Sequence, residues 1–408
     1  MGIFILISHN PFCSSSASSN RWCTLLVGLA NLGVQINLLI YGAYQTEYEA
    51  INWKPIGEKY GIGYRYLVPR VIKGFLGQRY NMYIGSELQK PELSNLILQE
   101  LKNKEGVVWT DDSYFGFQLA VKIKKLFPKR IIFLEMSEFL DIHKYNNGNL
   151  LQFWQANRRQ RYFEKKAICA FDGIAWMTQT LIMYCQSFQK PQLKLLHLPM
   201  TVDLERFNQI APAPIEFQKP YIAFVGVMND AKDGVSNLIR AFNSIKNQFV
   251  EHKVYLVGAR NYDTPIHLEL IKSLGLEDRV FWMKEYSRDV IPSIIGNADL
   301  LALPRPDSKQ AQGGFPTKLG EYLATGKPVC ATTVGELPDY LTDNESVFFA
   351  QPGSVESFAE AMRRALYDPE NAKRVGLNGK QVAQEEFNKD IQAKKLYQFL
   401  LELQANKR

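Results

Sequence analysis

The chain has 408 residues, 46% hydrophobic and 12% aromatic, enough to fill the cores of two or three domains and to exclude intrinsic disorder. Its five cysteines, Cys13, Cys23, Cys169, Cys185 and Cys330, form no C-x-x-C pair and are odd in number, which argues against a disulfide framework and for reduced, intracellular thiols. The net charge of +7 is uneven: residues 1–200 carry 23 Lys and Arg against 14 Asp and Glu, whereas residues 201–408 carry 25 against 27, so an anionic partner is expected on one half only, with no motif for nucleic acid.

No stretch approaches the ~20 apolar residues that span a bilayer. The opening MGIFILIS lacks a basic segment and is too short for a secretory signal, and Leu6 stands where a myristoylation motif needs Ser or Thr. A cytoplasmic protein is expected. In chain order, GIFILIS (2–8) reads as a strand, followed by a polar loop and a helix from Arg21 that stops at Gly33. QINLLIY (35–41), VVWT (107–110), RIIFLEM (130–136) and GIAWMT (173–178) read as further strands, with helices such as GFQLAVKIKKLF between them.

The second half repeats the alternation. YIAFVG (221–226), KVYLVG (253–258), RVFWM (279–283), ADLLALP (298–304) and PVCAT (328–332) are strands; 236–249, 268–275, 316–326 and 355–368 are helices. Such alternation describes an α/β chain with two Rossmann-like, doubly wound parallel-sheet domains, expected to face each other across a cleft. The Pro-rich segment 196–220 reads as the linker. The domains expected are 1–200 and 201–385, with an amphipathic tail over 386–408 packing back toward the N-terminal domain.

GGFPTKLGEYLATG (313–326) carries the most chemistry. Gly313 and Gly314 allow close backbone approach, Phe315 follows, Pro316 suits the first helical position, and Gly326 suits the stop. Free N–H groups there, with the helix dipole, make an anion site. Thr317, Lys318 and Glu321 share one face, and Pro316 to Glu321 spans roughly 7–8 Å along the axis. Amides and Lys318 are thus expected to take a diphosphate, while Glu321 accepts hydrogen bonds from the vicinal hydroxyls of the same nucleotide's ribose. An ordinary capped helix with a surface Lys/Glu pair is the plainer alternative.

NADLLALPRPDSKQAQGGFPTKLGEYLATGKPVCATTVGELPDYL, with QPGSVESFAEAMRRALYDPE after it, resembles the nucleotide-sugar-binding half of the retaining glycosyltransferases of family four, which have the GT-B fold. LPMTVDLERF resembles that family's linker, and FVGVMNDAKDGVSNLIRAF its phosphate-binding loop and following helix. The resemblance covers about 196–400; the first half follows it only in element order. It implies donor binding by Gly226, Lys232, Arg305, Gly313, Gly314, Phe315, Pro316, Thr317, Lys318 and Glu321, with Lys232 as the leaving-group cation. Of two glutamates that the family commonly carries eight positions apart, the second corresponds to Glu321, and Gly313 stands in place of the first. Asp233 precedes Gly234 where the family's lysine usually stands.

The chemistry implied is sugar transfer from a nucleoside diphosphate sugar, with no further cofactor, to a saccharide or lipid-linked acceptor. Negative charge then grows on the leaving phosphate, which fixed cations and dipoles stabilise. With no Asp-x-Asp triplet, metal-independent activity is expected; His143, His197, His252 and His267 lack metal-ligand spacing. On the acceptor side, His9 and Asn10 follow the first strand, and Glu135 and Glu138 lie at or just beyond another, with Glu138 the catalytic candidate. Basic residues interleaved with aromatics over 52–80 and 158–166 suit a polyprenyl-linked acceptor or an anionic membrane surface on which the protein is peripheral. The competing readings are a non-catalytic GT-B subunit that binds nucleotide or scaffolds a partner, and a sugar-nucleotide epimerase of the same fold.

Overall fold

The apolar runs in both halves assemble into two separate parallel sheets, one per compact unit: Met1–Leu198 with Gln392–Arg408, and Pro199–Ile391. The structure, a computed structural model, describes residues 1–13, 16–44, 47–69, 86–102, 104–140 and 150–406.

The first sheet has eight strands: β1 (Gly2–Ile7), β2 (Gln35–Ile40), β3 (Ile56–Lys59), β4 (Ile62–Tyr66), β5 (Val107–Thr110), β6 (Ile132–Met136), β7 (Gly173–Trp176) and β8 (Lys194–His197). Their order is β3-β4-β2-β1-β5-β6-β7-β8. All neighbours pair in parallel except β3, which runs antiparallel to β4. Strands β1 and β5–β7 are almost wholly buried, as a parallel sheet covered on both faces requires. One face packs Phe117, Phe163 and Trp176; the other packs Trp22, Trp109 and Phe133.

The hairpin β3–β4 escaped the sequence reading because IGEKYGIGYRY offers no apolar run. Its turn is set by Tyr60 and Gly61, with φ of 55° and 73°, two successive left-handed residues as a tight hairpin demands. Strand β8, half exposed at the opposite edge, runs into the Pro-rich segment that the sequence marks as the linker.

The second sheet has six parallel strands: β9 (Tyr221–Val225), β10 (Lys253–Val257), β11 (Val280–Met283), β12 (Leu300–Leu303), β13 (Val329–Thr332) and β14 (Phe348–Ala350). The order β11-β10-β9-β12-β13-β14 reverses between β9 and β12. In the first sheet the reversal falls between β1 and β5. Ligands of doubly wound sheets sit beyond the carboxyl ends of strands at such a switch point.

The C-terminal helix, Lys389–Ala405, buries Ala393, Leu396, Phe399, Leu400 and Leu403 in the same core as Trp109 and Phe133. Leu400 is fully buried. Leu400→Ala should therefore cost about 2–5 kcal/mol, read as a lowered denaturant midpoint with native circular dichroism at zero denaturant. A loss below about 1 kcal/mol would contradict this packing.

Candidate functional site

The second unit's switch point is built from the loop after β9, the segment after β12 and the helix Thr317–Ala324. Gly226 follows β9 and donates its N–H to the Val257 carbonyl at 2.9 Å. From there the chain passes through the short helix Asp230–Asp233, capped by Asn229, whose side chain accepts from the Lys232 N–H at 2.8 Å. Gly234 then takes a φ of 68° and starts the helix Val235–Ile245. A Cβ at Gly234 would strike the Pro304 carbonyl, so only glycine lets this loop lie against the end of β12.

Lys318 joins the two sides. From the first turn of its helix it reaches back to the β9 loop, where Nζ pairs with Asp233 Oδ1 at 2.6 Å and sits 4.3 Å from the centre of the Phe224 ring. A Cβ at Gly226 would collide with Nζ. The Asp233 side chain is 3% exposed and that of Lys318 19%. Burial alone would raise the Asp233 carboxyl, but the Lys318 ammonium, then Arg305 and Lys232, outweigh it and hold the carboxyl below its ordinary range. Burial lowers Lys318, Asp233 opposes that, and Arg305 and Lys232 push it lower still. Lys318, Arg305 and Lys232 thus all act on the Asp233 carboxyl. Arg305, buried just past β12, donates through Nε to the Lys232 carbonyl at 3.3 Å and presents its own carbonyl to the Thr332 hydroxyl at 2.6 Å.

The glycine pair behaves differently from its sequence reading. The expected long loop contains a helix, Lys309–Gly313, capped by Ser308, which accepts from the Ala311 N–H at 3.2 Å. Gly313 is its last residue, and the Gly314 N–H donates to the Gln310 carbonyl at 3.0 Å, so that amide is spent on the helix end and is not offered to a ligand. Phe315 is buried against Tyr340 and Phe387, with ring centres 5.7 and 5.2 Å away; it anchors the segment. Pro316 is the N-cap rather than the first helical residue, and no side chain caps this helix. Lacking an N–H, Pro316 leaves the Thr317 and Lys318 amides as the first donors, and neither has a partner among the described residues. Amides so placed at the start of a helix are suited to an anion.

Glu321, one turn further, is held by Arg206: Nη1 to Oε1 is 2.6 Å, with side chains 21% and 16% exposed respectively. Tyr322, beside it and buried, receives the Val225 N–H at 2.8 Å and fastens the helix to the end of β9. Arg206 and Asp233 were absent from the expected site. Asp233 carried one signal, its place before Gly234; Arg206 carried none, since its partner lies 115 positions away.

In the first unit, Glu135 is 6% exposed and bound to Arg21, Nε to Oε1 at 2.6 Å, while Arg21 Nη2 donates to the Leu198 carbonyl at 2.7 Å. Burial outweighs Arg21 and raises its carboxyl. This corrects its acceptor-binding expectation: it is an internal tie. Asn10, 2% exposed, is likewise engaged, donating to the Tyr66 hydroxyl at 2.8 Å and accepting from the Phe12 N–H at 3.0 Å. His9 is half-buried after β1, its Nδ1 3.4 Å from the Ser8 hydroxyl. Glu138 is half-buried in the loop after β6. The buried carboxylate at this switch point is Asp111, which accepts from the Tyr41 hydroxyl at 2.7 Å and the Ser8 N–H at 2.9 Å; burial raises its pKa. Of the basic-aromatic segments, 158–166 and 52–69 are described, and 70–80 and His143 lie outside the described residues.

Among the described residues no group of three or more His, Cys, Asp or Glu is arranged to hold a metal ion, and no helix is long and apolar enough to cross a membrane.

Asp233→Asn would leave the Lys318 ammonium without its counter-charge beside Arg305 and Lys232, and should cost roughly 3 kcal/mol. Because the Asp233 carboxyl is depressed in the fold, its contribution is complete above pH ~4 and is lost as pH falls through the folded value. Urea unfolding at pH 7 and at pH 3 should show the variant's deficit shrinking in acid; an equal deficit at both would contradict the pairing.

Residues 205–382 match the family model described as "Glycosyl transferases group 1". This corrects the family drawn from the motifs: the match is to group 1, not to family four. A GDP-mannose-dependent alpha-(1-6)-phosphatidylinositol monomannoside mannosyltransferase of Mycobacterium tuberculosis is 26% identical over 220 residues, covering 52% of this chain and 56% of that protein. The alpha-1,3/1,6-mannosyltransferase ALG2 of Dictyostelium discoideum is 30% identical over 145 residues, 33% of each. The chain thus spans about half the length, or less, of these curated relatives. Among solved structures, sucrose-phosphate synthase from Thermosynechococcus elongatus superposes with a TM-score of 0.78 at 17% identity over 100% of both chains. Anabaena HepE in complex with UDP does so with a TM-score of 0.69 at 14% identity, over 98% of this chain and 100% of that one. The fold is GT-B, and its second unit carries the group 1 glycosyltransferase match.

Proposed function

We propose that the protein is a glycosyltransferase that moves a sugar from a nucleoside diphosphate sugar to a saccharide or lipid-linked saccharide acceptor, in the assembly of surface polysaccharide or another glycan. The observation that carries this reading is the arrangement at the second switch point: two amides without a partner among the described residues at an uncapped helix mouth, Lys318 beside them, and Glu321 one turn on. The first unit is read as the acceptor side, with His9 and Glu138, and the second as the donor side. The mycobacterial relative is GDP-mannose-dependent by name, and HepE is described with UDP and with UDP-glucose; these support the donor class.

Phosphate oxygens at the mouth would accept from the Thr317 and Lys318 amides, and Lys318, Lys232 and Arg305 would offset the charge that grows as the sugar leaves. Fixed donors of this kind supply the largest share of stabilisation in many enzymes. Cations already in place support transfer without a divalent metal, so saturating EDTA should leave turnover within about twofold. Abolition by EDTA with recovery on Mn²⁺ would contradict this. We also propose retention of anomeric configuration. That stereochemistry is what the motif resemblance implies, and no nucleophile in the site is assigned to it.

Titration of UDP, GDP, ADP and dTDP in a thermal-shift panel tests donor binding. A ligand at 100 times its dissociation constant adds about 2.7 kcal/mol; at least one should raise Tm, and Lys318→Met should abolish the shift. A flat panel would sink the reading. A non-catalytic nucleotide-binding subunit remains the second reading, favoured by Gly313 in place of an acidic residue. Glu321→Ala separates the two: cells carrying it lose the glycan if the protein is a transferase and keep it if the protein is a scaffold.

An anionic membrane surface is the proposed docking partner. The helix Leu150–Lys165 exposes Trp154, Arg158, Arg161 and Lys165, spaced along one face, with the Arg158 guanidinium 5.4 Å from the Trp154 ring centre. Basic residues beside an exposed indole suit a headgroup layer. Co-sedimentation should be several-fold greater with phosphatidylglycerol vesicles than with phosphatidylcholine alone and should fall in Arg158→Glu/Arg161→Glu. Equal, weak pelleting would dismiss it.

A further inference from the structure

Glu321 does not stand alone, and what holds it carries a consequence for ligand choice. Arg206 lies in the 3-10 turn Leu204–Phe207, far from Glu321 in sequence. The turn is pinned on both sides. Phe207 is buried, and Asp203 pairs with Lys389 at 3.1 Å. The Val202 N–H donates to the Phe387 carbonyl at 2.8 Å, and the Lys389 N–H to the Val202 carbonyl at 3.0 Å. Upstream of the turn, Met200 and Val202 lie directly under the helix Thr317–Ala324. A Cβ at Gly320 would strike Met200 and stand 3.2 Å from Val202 Cβ, so glycine there lets the segment come close enough for Arg206 to reach Glu321.

The guanidinium then forks. Nη1 donates to Glu321 Oε1 at 2.6 Å, and Nη2 donates to the Arg288 carbonyl at 2.6 Å, in the loop after β11. Its plane lies 5.5 Å from the Phe207 ring centre. One oxygen of Glu321 is thereby fixed, while the other, Oε2, has no hydrogen-bond partner among the described residues. A carboxylate with one oxygen tethered and the other open presents an acceptor in a set direction. A lysine in its place would offer a point charge rather than this planar, two-pronged fork.

We propose that Arg206 is a positioning residue that aims Glu321 at the ribose hydroxyls of a nucleoside diphosphate and so makes the site select ribo- over 2′-deoxyribonucleotides. The inference rests on the proposed donor site. Its hydrogen bond to the Arg288 carbonyl links the same guanidinium to the loop after β11.

Isothermal titration of the full chain with the ribo- and 2′-deoxyribonucleoside diphosphates of uracil, guanine and adenine tests it. A site whose buried acceptor loses its hydroxyl partner rejects the analogue, and a hydrogen bond to a charged group corresponds to about 10- to 100-fold in affinity. The unaltered chain should prefer its ribonucleotide by about 10-fold or more, and Glu321→Gln should shrink that ratio severalfold. Arg206→Met should shrink it nearly as far, and Arg206→Lys should fall between. Arg206→Met combined with Glu321→Gln should discriminate no less than Glu321→Gln alone. If Arg206→Met weakens both ligands equally and leaves the ratio intact while Glu321→Gln collapses it, Arg206 is only structural and the proposal is overturned. If the unaltered chain does not discriminate, or binds none of the six, the reading of Glu321 itself fails. Should Arg206→Met not fold, Arg206→Lys with an unchanged ratio overturns the proposal equally.

Discussion

A buried charge pair, Lys318 with Asp233, ties the loop leaving β9 to the helix that follows β12. Everything at the second switch point is arranged around that tie. Gly226 and Gly234 are glycines because a side chain at either would occupy the space taken by Nζ or by the end of β12. Phe224 supplies a ring beneath the ammonium, and Tyr322 fastens the same helix to the last N–H of β9. Burying two charges is favourable only when each is closely compensated. Here Asp233 faces Lys318 at 2.6 Å, with Arg305 and Lys232 near enough to act on the same carboxyl.

A helix opening without a side-chain cap is the second half of the same design. Seven of the described helices have one: Ser16, Ser113, Thr178, Asn229, Ser308, Ser354 and Asp368 each accept an N–H in the first turn of their own helices. The helix Thr317–Ala324 begins at Pro316, which contributes neither a cap nor an N–H. Phe315, wedged between Tyr340 and Phe387, holds that bare mouth in place. Orphaned helix donors need partners, and an incoming anion is one. The rigid backing and the open front follow from adjacent residues, Phe315 and Pro316.

Much of this could be read from the chain itself. The buried parallel strands are legible because their residues are apolar on both faces, and the helix at 317–324 because Pro316 and Gly326 bracket it. What stayed hidden falls into two kinds. The hairpin at 56–66 and the helix Lys309–Gly313 are short and rich in glycine or polar residues, so no hydrophobic period marks them. The pairings of Glu135 with Arg21, Lys318 with Asp233, and Glu321 with Arg206 join residues 114, 85 and 115 positions apart. Local pattern says which residues are charged, but only the fold says which charges meet. That is why Glu135 looked available and is not, and why Asp233 and Arg206 were overlooked.

The account stands on a diphosphate resting at the Thr317 and Lys318 amides with a ribose beside Glu321. A crystal structure of the protein grown with the tightest-binding nucleoside diphosphate tests this directly. The account predicts phosphate oxygens within ~3 Å of both amides and of Lys318 Nζ, with a ribose hydroxyl donating to Glu321. Phosphates bound elsewhere, or a ribose turned away from that carboxylate, would contradict it.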